Sequence, residues 1–360
     1  MKVMTPHYYK DFRCIAGACT DTCCAGWDVD VDKDSYKYYK TVKGAFGKRL
    51  KSVMVPSQDG ECTFTLKEGG RCPFLNDDNL CDLYIELGED KLCETCAEFP
   101  RFINDYGNIR EIGIAPSCKT AGELMFSYKD ELTFDTVEDN SLTLEPNDID
   151  AYTYMQLRQA RIVAFGIISD RDISIFERLM LYLDYAKRIQ KHLDAERDEL
   201  IAGVAKRFCG ADYREELLDR LKSRDEKLHG KRLIKGLRHF FDDFKGMEVI
   251  NPDWNIHVAR VRQFLDGLTD DSGLAAVMKT YHAGSEAFAH EYEQLAMYYV
   301  YRYMLDAVND YDILLKAKNA VIGILAVDIM AAANQASGCM PDFTMRVDIC
   351  LLYTSDAADE

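Results

Sequence analysis

The sequence is poor in the features that mark the commoner enzyme classes. Histidine occurs only seven times, scattered, with no HExxH-like pair, so histidine-based metal ligation has little to build on, His7 beside the cysteines excepted. No glycine-rich strand-to-helix fingerprint is present, which weakens a Rossmann-type nucleotide site. Basic residues are short, 44 against 61 acidic for a net charge of −17, the wrong sign for a phosphate-backbone binder. A basic, lysine-bearing partner would instead be attracted. Long apolar runs are missing too: Ala320 to Ala333 is interrupted by Asp328 and falls short of the ~20 residues a bilayer span needs. Met1 to Asp21 shows no apolar core followed by a small-residue cleavage site, so the cytoplasm is the expected compartment, without membrane or nucleic acid as partner. With 8 prolines and 48% hydrophobic residues, the 360-residue chain is neither disordered nor fibrous.

Cysteine is abundant. Ten of thirteen cysteines fall in the first 118 residues. Reduced cytosolic thiols gathered in this way favour metal ligation over disulfides or unrelated buried thiols. Cys14-x4-Cys19-x3-Cys23-Cys24 forms one set, with Gly17 and Gly26 to let the backbone wrap closely. Cys72, Cys81 and the pair Cys93-x2-Cys96 form a second, and Cys118 is a further candidate. Neither set alone matches a ferredoxin run or a paired-CxxC zinc site. Cys62, Cys209 and Cys339 lack such a context and read as small buried hydrophobes. Nine candidate thiolates exceed the four of one cluster and leave one over for two.

The run Cys14-Ile-Ala-Gly-Ala-Cys-Thr-Asp-Thr-Cys-Cys-Ala-Gly-Trp27, followed by Cys72-Pro-Phe-Leu and Leu92-Cys-Glu-Thr-Cys-Ala-Glu-Phe-Pro-Arg101, resembles the flagellin lysine-N-methylase family. That family is related to the CxxCxxCC-type zinc- or iron-chelating domain. The likeness spans roughly residues 5–125. It implies a cysteine-bound iron–sulfur centre, 4Fe-4S in type, and S-adenosylmethionine as donor of methyl groups to flagellin lysines. It departs at Cys118, which is followed by Lys119-Thr120 where the family has a Pro-acidic pair. The rival reading is a non-enzymatic module that holds zinc or iron and binds a partner protein.

No catalytic residue can be named from the sequence. Arg101 is a candidate for holding a cofactor carboxylate or phosphate, or else pairs with an acidic neighbour. Trp27 either stacks on a cofactor or packs over the sulfur site. The tyrosine-rich segments Tyr36 to Tyr39 and Tyr298 to Tyr303 could surround a substrate lysine, or could be core. The radical-type three-cysteine loop with gaps of three and two is absent.

The expected fold is mainly α: a small irregular cysteine-rich metal-binding module over residues 1–145, then an all-α region over 146–349. Short helices are expected at Asp32 to Val42 and Leu80 to Leu87, and strands at Glu61 to Leu66 and Asn108 to Ile114. A boundary is placed at Glu138 to Asp148, with Pro146-Asn147-Asp148 opening the helical part. Apolar residues then recur at helical spacing from Tyr154 to Ile168 and from Phe176 to Ala186. Further helices follow at 195–208, 213–228 and 231–245, with starts at Asn251-Pro252-Asp253 and Gly284-Ser285. Met297 to Leu305, apolar almost all round, reads as a central buried helix. Residues 350–360, from Cys350, resemble the translation of a sequencing adapter and are set aside from the fold.

Overall fold

The structure is a computed structural model that describes residues 1–56, 62–142, 148–228, 232–244, 253–338 and 340–356. Glu61, Pro146, Asn147, Asn251, Pro252 and Cys339 lie outside these residues. The chain is mainly helical, as its periodicity predicts. It begins with β1 (Lys2–Pro6), followed by β2 (Asp30–Val31), α1 (Lys33–Thr41), α2 (Gly44–Val53), β3 (Met54–Pro56) and β4 (Cys62–Phe64). Next come α3 (Asp82–Leu87), α4 (Glu94–Glu98), β5 (Arg101–Tyr106), β6 (Ile109–Ile114), α5 (Lys119–Ser127) and β7 (Phe134–Glu138).

The helical part contains α6 (Ala151–Ile168), α7 (Ile175–Leu193), α8 (Ile201–Phe208), α9 (Ala211–Leu228), α10 (Arg232–Asp243) and α11 (Asp253–Asp266). It ends with α12 (Asp271–Ser285), α13 (Ala289–Tyr303), α14 (Ala307–Asp310), α15 (Ile313–Ala336) and α16 (Phe343–Asp356). No helix among the described residues is long and apolar enough to cross a membrane.

Side-chain caps mark several helix starts. The Asp150 carboxylate accepts from the Thr153 amide at 2.7 Å, and Ser174 with Glu177 closes a reciprocal capping box at the head of α7. Asp312 caps α15 through the Leu315 amide at 2.8 Å. Gly284-Ser285 was expected to open a helix but closes one. Asp270 accepts from the amides of Ser272 and Gly273, so α12 starts fourteen residues before Ser285, and a 3₁₀ turn over Glu286–Phe288 leads on to α13.

Two hydrophobic cores form. The larger takes in the inner faces of α6, α7, α13 and α15, and also Tyr8, Phe12, Phe102, Tyr106 and Ile114 from the N-terminal third. The four-stranded sheet β5-β6-β1-β7 therefore packs on the helices, although it lies within 1–145. In it β1 runs parallel to β6 and antiparallel to β7, while β5 and β6 form a hairpin. The hairpin turns at Gly107 with φ +59°, a conformation glycine takes without strain. The smaller core gathers Val29, Val31, Tyr39, Leu50, Phe64, Phe74 and Leu83 around the buried Cys62, Cys72 and Cys93. Beside it stands the three-stranded sheet β2-β4-β3.

Residues Met297 to Leu305 are central: Tyr298, Tyr299 and Tyr301 are buried, and the Tyr301 hydroxyl donates to the Met4 carbonyl at 2.7 Å. The apolar run Cys350–Tyr353, set aside above, continues α16 and is buried against α15 and α5. The Lys119 ammonium adds an ion pair to Asp348 at 2.9 Å between α5 and α16.

Candidate metal centre

The cysteine loops are brought together by backbone contacts that need glycine. Gly26 (φ +92°) and Gly70 (φ +70°) cross, the Gly26 amide donating to the Gly70 carbonyl at 3.0 Å; a Cβ on Gly70 would stand 3.3 Å from the Gly26 nitrogen. Two residues on, the Cys72 amide donates to the Cys24 carbonyl at 2.8 Å. The first cysteine run is thereby laid beside the second. An isolated bridge pairs Leu75 with Cys81, and the Asn76 side chain accepts from the Asp78 and Leu80 amides, closing the loop that returns Cys81 toward Cys72.

Asp32 positions the third piece. Its carboxylate caps α1 through the Ser35 amide at 2.9 Å and also accepts the Glu94 amide at 3.0 Å, fixing the start of α4 with Cys93 at its N-cap. Burial pushes the Asp32 carboxyl up, but the amides of Ser35, Glu94 and Asp34 outweigh it, so the group sits below its ordinary value. Its stabilisation is therefore present above the unfolded value of about 3.9 and is lost as the pH falls through the lower folded value. Asp32→Ala should cost ~0.5–2 kcal/mol at neutral pH. The gap in urea midpoint between parent and variant should narrow as the pH falls below about 3.9; an equal gap at neutral and acidic pH would argue against this role.

The thiols themselves show three environments. Burial pushes Cys72 and Cys118 each up to about 11, against backbone amides of Phe74 and Leu75 at Cys72 and of Ala121 and Thr120 at Cys118. Burial likewise raises Cys81, opposed by the amides of Tyr84 and Leu83. Cys23 and Cys24 are hydrogen-bonded to each other: Cys23 is pushed up, and Cys24 is lowered to about 7 by that bond, by Thr22 and by Arg71. A thiol bond from Cys96 lowers Cys93 and raises Cys96. The sulfur field also reaches Cys118, which interacts with Cys19 and Cys14 from the head of α5. All nine sequence-predicted cysteines thus lie in one neighbourhood.

Among the described residues no three His, Cys, Asp or Glu side chains converge on a position that could hold a single ion. Thiols with backbone amides directed at them are a donor set that zinc and iron–sulfur clusters share. Either group would hold its thiolates deprotonated.

Trp27 donates from Nε1 to the Cys23 carbonyl at 2.9 Å and packs on Phe99 at 5.9 Å between ring centres, so it lies over the first cysteine run. Arg101 donates to the Tyr9 hydroxyl at 3.1 Å and covers the Phe12 ring. His7 pairs with Asp135 at 3.0 Å, not with a cysteine. Cys62 is buried as expected, but Cys209 is exposed at the end of α8. Tyr39 is core, its hydroxyl donating to the Lys91 carbonyl at 2.7 Å. An open cleft of about 500 Å³ beside α11, lined by Asn255, Ile256, Ala259, Arg260, Gln263 and Ser337, contains none of the cysteines.

Sequence reasoning missed the pairs made by buried polar and charged side chains. Glu111 pairs with Arg161, Glu293 with Arg178 and Arg171, Glu291 with Arg346, and Asp328 with His282. Charged residues on otherwise apolar helix faces, such as Arg161 within Ala160 to Ala164, were the available signal.

Comparison with known proteins bears on the helical part. The model of the FliB lysine N-methylase C-terminal domain matches residues 161–356, more than half of the chain. The chain belongs to the FliB lysine N-methylase family. Over 121 residues it is 30% identical to the flagellar biosynthetic protein FliU of Salmonella muenchen, covering 32% of this chain and 72% of that protein. It is 29% identical over 121 residues to the lysine-N-methylases of Salmonella choleraesuis and Salmonella typhimurium. Those matches cover 32% of this chain, which spans only 30% of either methylase's length. No solved structure matches the chain.

Proposed function

We propose that this FliB-family chain is a protein-lysine N-methyltransferase that takes its methyl group from S-adenosylmethionine, acts on flagellin, and carries a cysteine-ligated iron–sulfur cluster. The observation that carries the reading is the gathering of nine thiols from five separate segments in a chain of this family. Thiols at Cys14, Cys19, Cys23, Cys24, Cys72, Cys81, Cys93, Cys96 and Cys118 are the available ligands. When bound, a cluster supplies redox-active iron and cross-links these loops.

Methyl transfer by direct displacement forms the amine N–C bond as the donor sulfonium S–C bond breaks, and the amine must first give up its proton. That requires a neutral, aligned lysine. The protein's acidic surface, at −17 overall, favours the approach of a lysine-bearing partner. The decisive experiment incubates anaerobically purified protein with methyl-labelled S-adenosylmethionine and flagellin, followed by peptide mass spectrometry and visible absorption. A brown protein that labels flagellin lysines supports the reading. A colourless zinc protein without transfer supports instead the non-enzymatic partner-binding module.

A further inference from the structure

The open cleft of about 500 Å³ beside α11 falls in the size range of small-molecule sites, ~300–1,000 Å³. Its lining mixes apolar and polar side chains. Ile256 stands 56% exposed with Ala259 beside it, and Asn255, Gln263 and Ser337 add two amides and a hydroxyl.

Arg260 supplies the charge. Its Nη1 donates to Asn334 Oδ1, and the Asn334 amide is held in that orientation by its own bond from Nδ2 to the Met330 carbonyl at 2.8 Å. That partner is neutral. Among the described residues no carboxylate pairs with Arg260, whereas Arg262 on the same helix meets Asp242 at 2.6 Å and Arg238 on α10 meets Asp266 at 3.1 Å. A guanidinium without a countercharge on the wall of a cleft, in a chain of net charge −17, is a place for an anionic group. Next in sequence to Asn334, Gln335 Oε1 is buried with no hydrogen-bond partner. The neighbourhood thus offers a cation for a carboxylate and an unused oxygen for an ammonium, the two partners an α-amino acid head group needs.

We infer that this cleft is the binding site for S-adenosylmethionine. Arg260 takes the methionyl carboxylate and Gln335 its ammonium; Ile256 and Ala259 give apolar surface to the adenosine, with Asn255, Gln263 and Ser337 for its polar edge. The inference rests on the methyltransferase reading above and deepens it by giving the methyl donor a site. It separates two tasks: the donor is held by α11 and the end of α15, inside the region matched by the family model, and the thiols of the first third are left to hold metal. One guanidinium can bind a carboxylate, so the site does not depend on the glycine-rich loop that the sequence lacks.

The test titrates the full-length chain calorimetrically with S-adenosylhomocysteine, which lacks the transferable methyl group, and with adenosine, which lacks the carboxylate. Arg260→Ala should weaken S-adenosylhomocysteine about 10- to 100-fold and leave adenosine unchanged, because a charge-assisted hydrogen bond is lost. Ile256→Asp, at an exposed position, should weaken both. In the parent, amide hydrogen exchange across residues 253–266 should slow when S-adenosylhomocysteine is added, a readout that needs no variant to fold. Undiminished affinity in Arg260→Ala, or unchanged exchange across 253–266 in a parent that binds, overturns the cleft as the donor site while the methyltransferase reading stands. An equal loss for adenosine in Arg260→Ala overturns the carboxylate assignment. A parent that binds no S-adenosylhomocysteine overturns this inference together with the donor assignment beneath it.

Discussion

Replacing Cys72 and Cys81 together by serine is expected to strip metal from the smaller core and melt it, with loss of methyl transfer, while the larger helical core stays folded. The smaller core gathers few large apolar side chains, and its loops are held by crossings such as Gly26 with Gly70 rather than by long helices. A structural metal contributes ~10–16 kcal/mol of apparent binding free energy in small zinc modules, against ~1.5–3 kcal/mol for one buried apolar side chain. Losing two ligands should therefore outweigh any packing change. Elemental analysis and a dichroism melt check this, with exposed Cys209→Ser as the control that changes neither. Full metal content and an unchanged melt in the double variant would show that these thiols are not ligands.

The second large effect is expected at Glu111→Gln. Glu111 on β6 is completely buried and accepts from both terminal nitrogens of Arg161 on α6, at 2.7 Å for the Nη1 bond. Arg161 also donates to the Tyr301 carbonyl at 3.1 Å and lies over the Phe165 and Tyr301 rings. The amide removes the countercharge and leaves a guanidinium in the interior, which should cost ~3–5 kcal/mol. Converting both partners to apolar residues, Glu111→Leu with Arg161→Met, should recover much of that loss, because no charge is then stranded. Urea unfolding of the parent, the single variant and the double variant closes the cycle. A Glu111→Gln protein within ~1 kcal/mol of the parent would show that the pair does not hold the sheet to the helices.

Both effects act through contacts between segments far apart in sequence, which marks where sequence reading stops. Helices were legible because their determinants are local. Apolar spacing over Tyr154 to Ile168 anticipates α6, and Ser174 with Glu177 announces the start of α7. The buried segment Met297 to Leu305 was visible from its lack of a polar face, although it is the second half of α13 and the start of the 3₁₀ turn after it rather than a helix of its own. Gly284-Ser285 misled because the capping residue Asp270, further upstream, had already started α12.

By itself, then, the sequence determined that the chain is mainly helical, that it is acidic along its length, and that its thiols are concentrated in the first third. Composition and short-range periodicity are enough for that. Only the tertiary structure decided that β1 pairs in parallel with β6 more than a hundred residues later, joining the N-terminal strands to the larger core. It also decided that Asp32 reaches the head of α4, that Arg161 finds Glu111, and that the Cys72 amide meets the Cys24 carbonyl. The physical reason is the same in each case. Spacing along the chain fixes which residues share a helix face or a turn, but a buried charge or thiol takes its partner from whichever distant segment the packing of the cores brings against it.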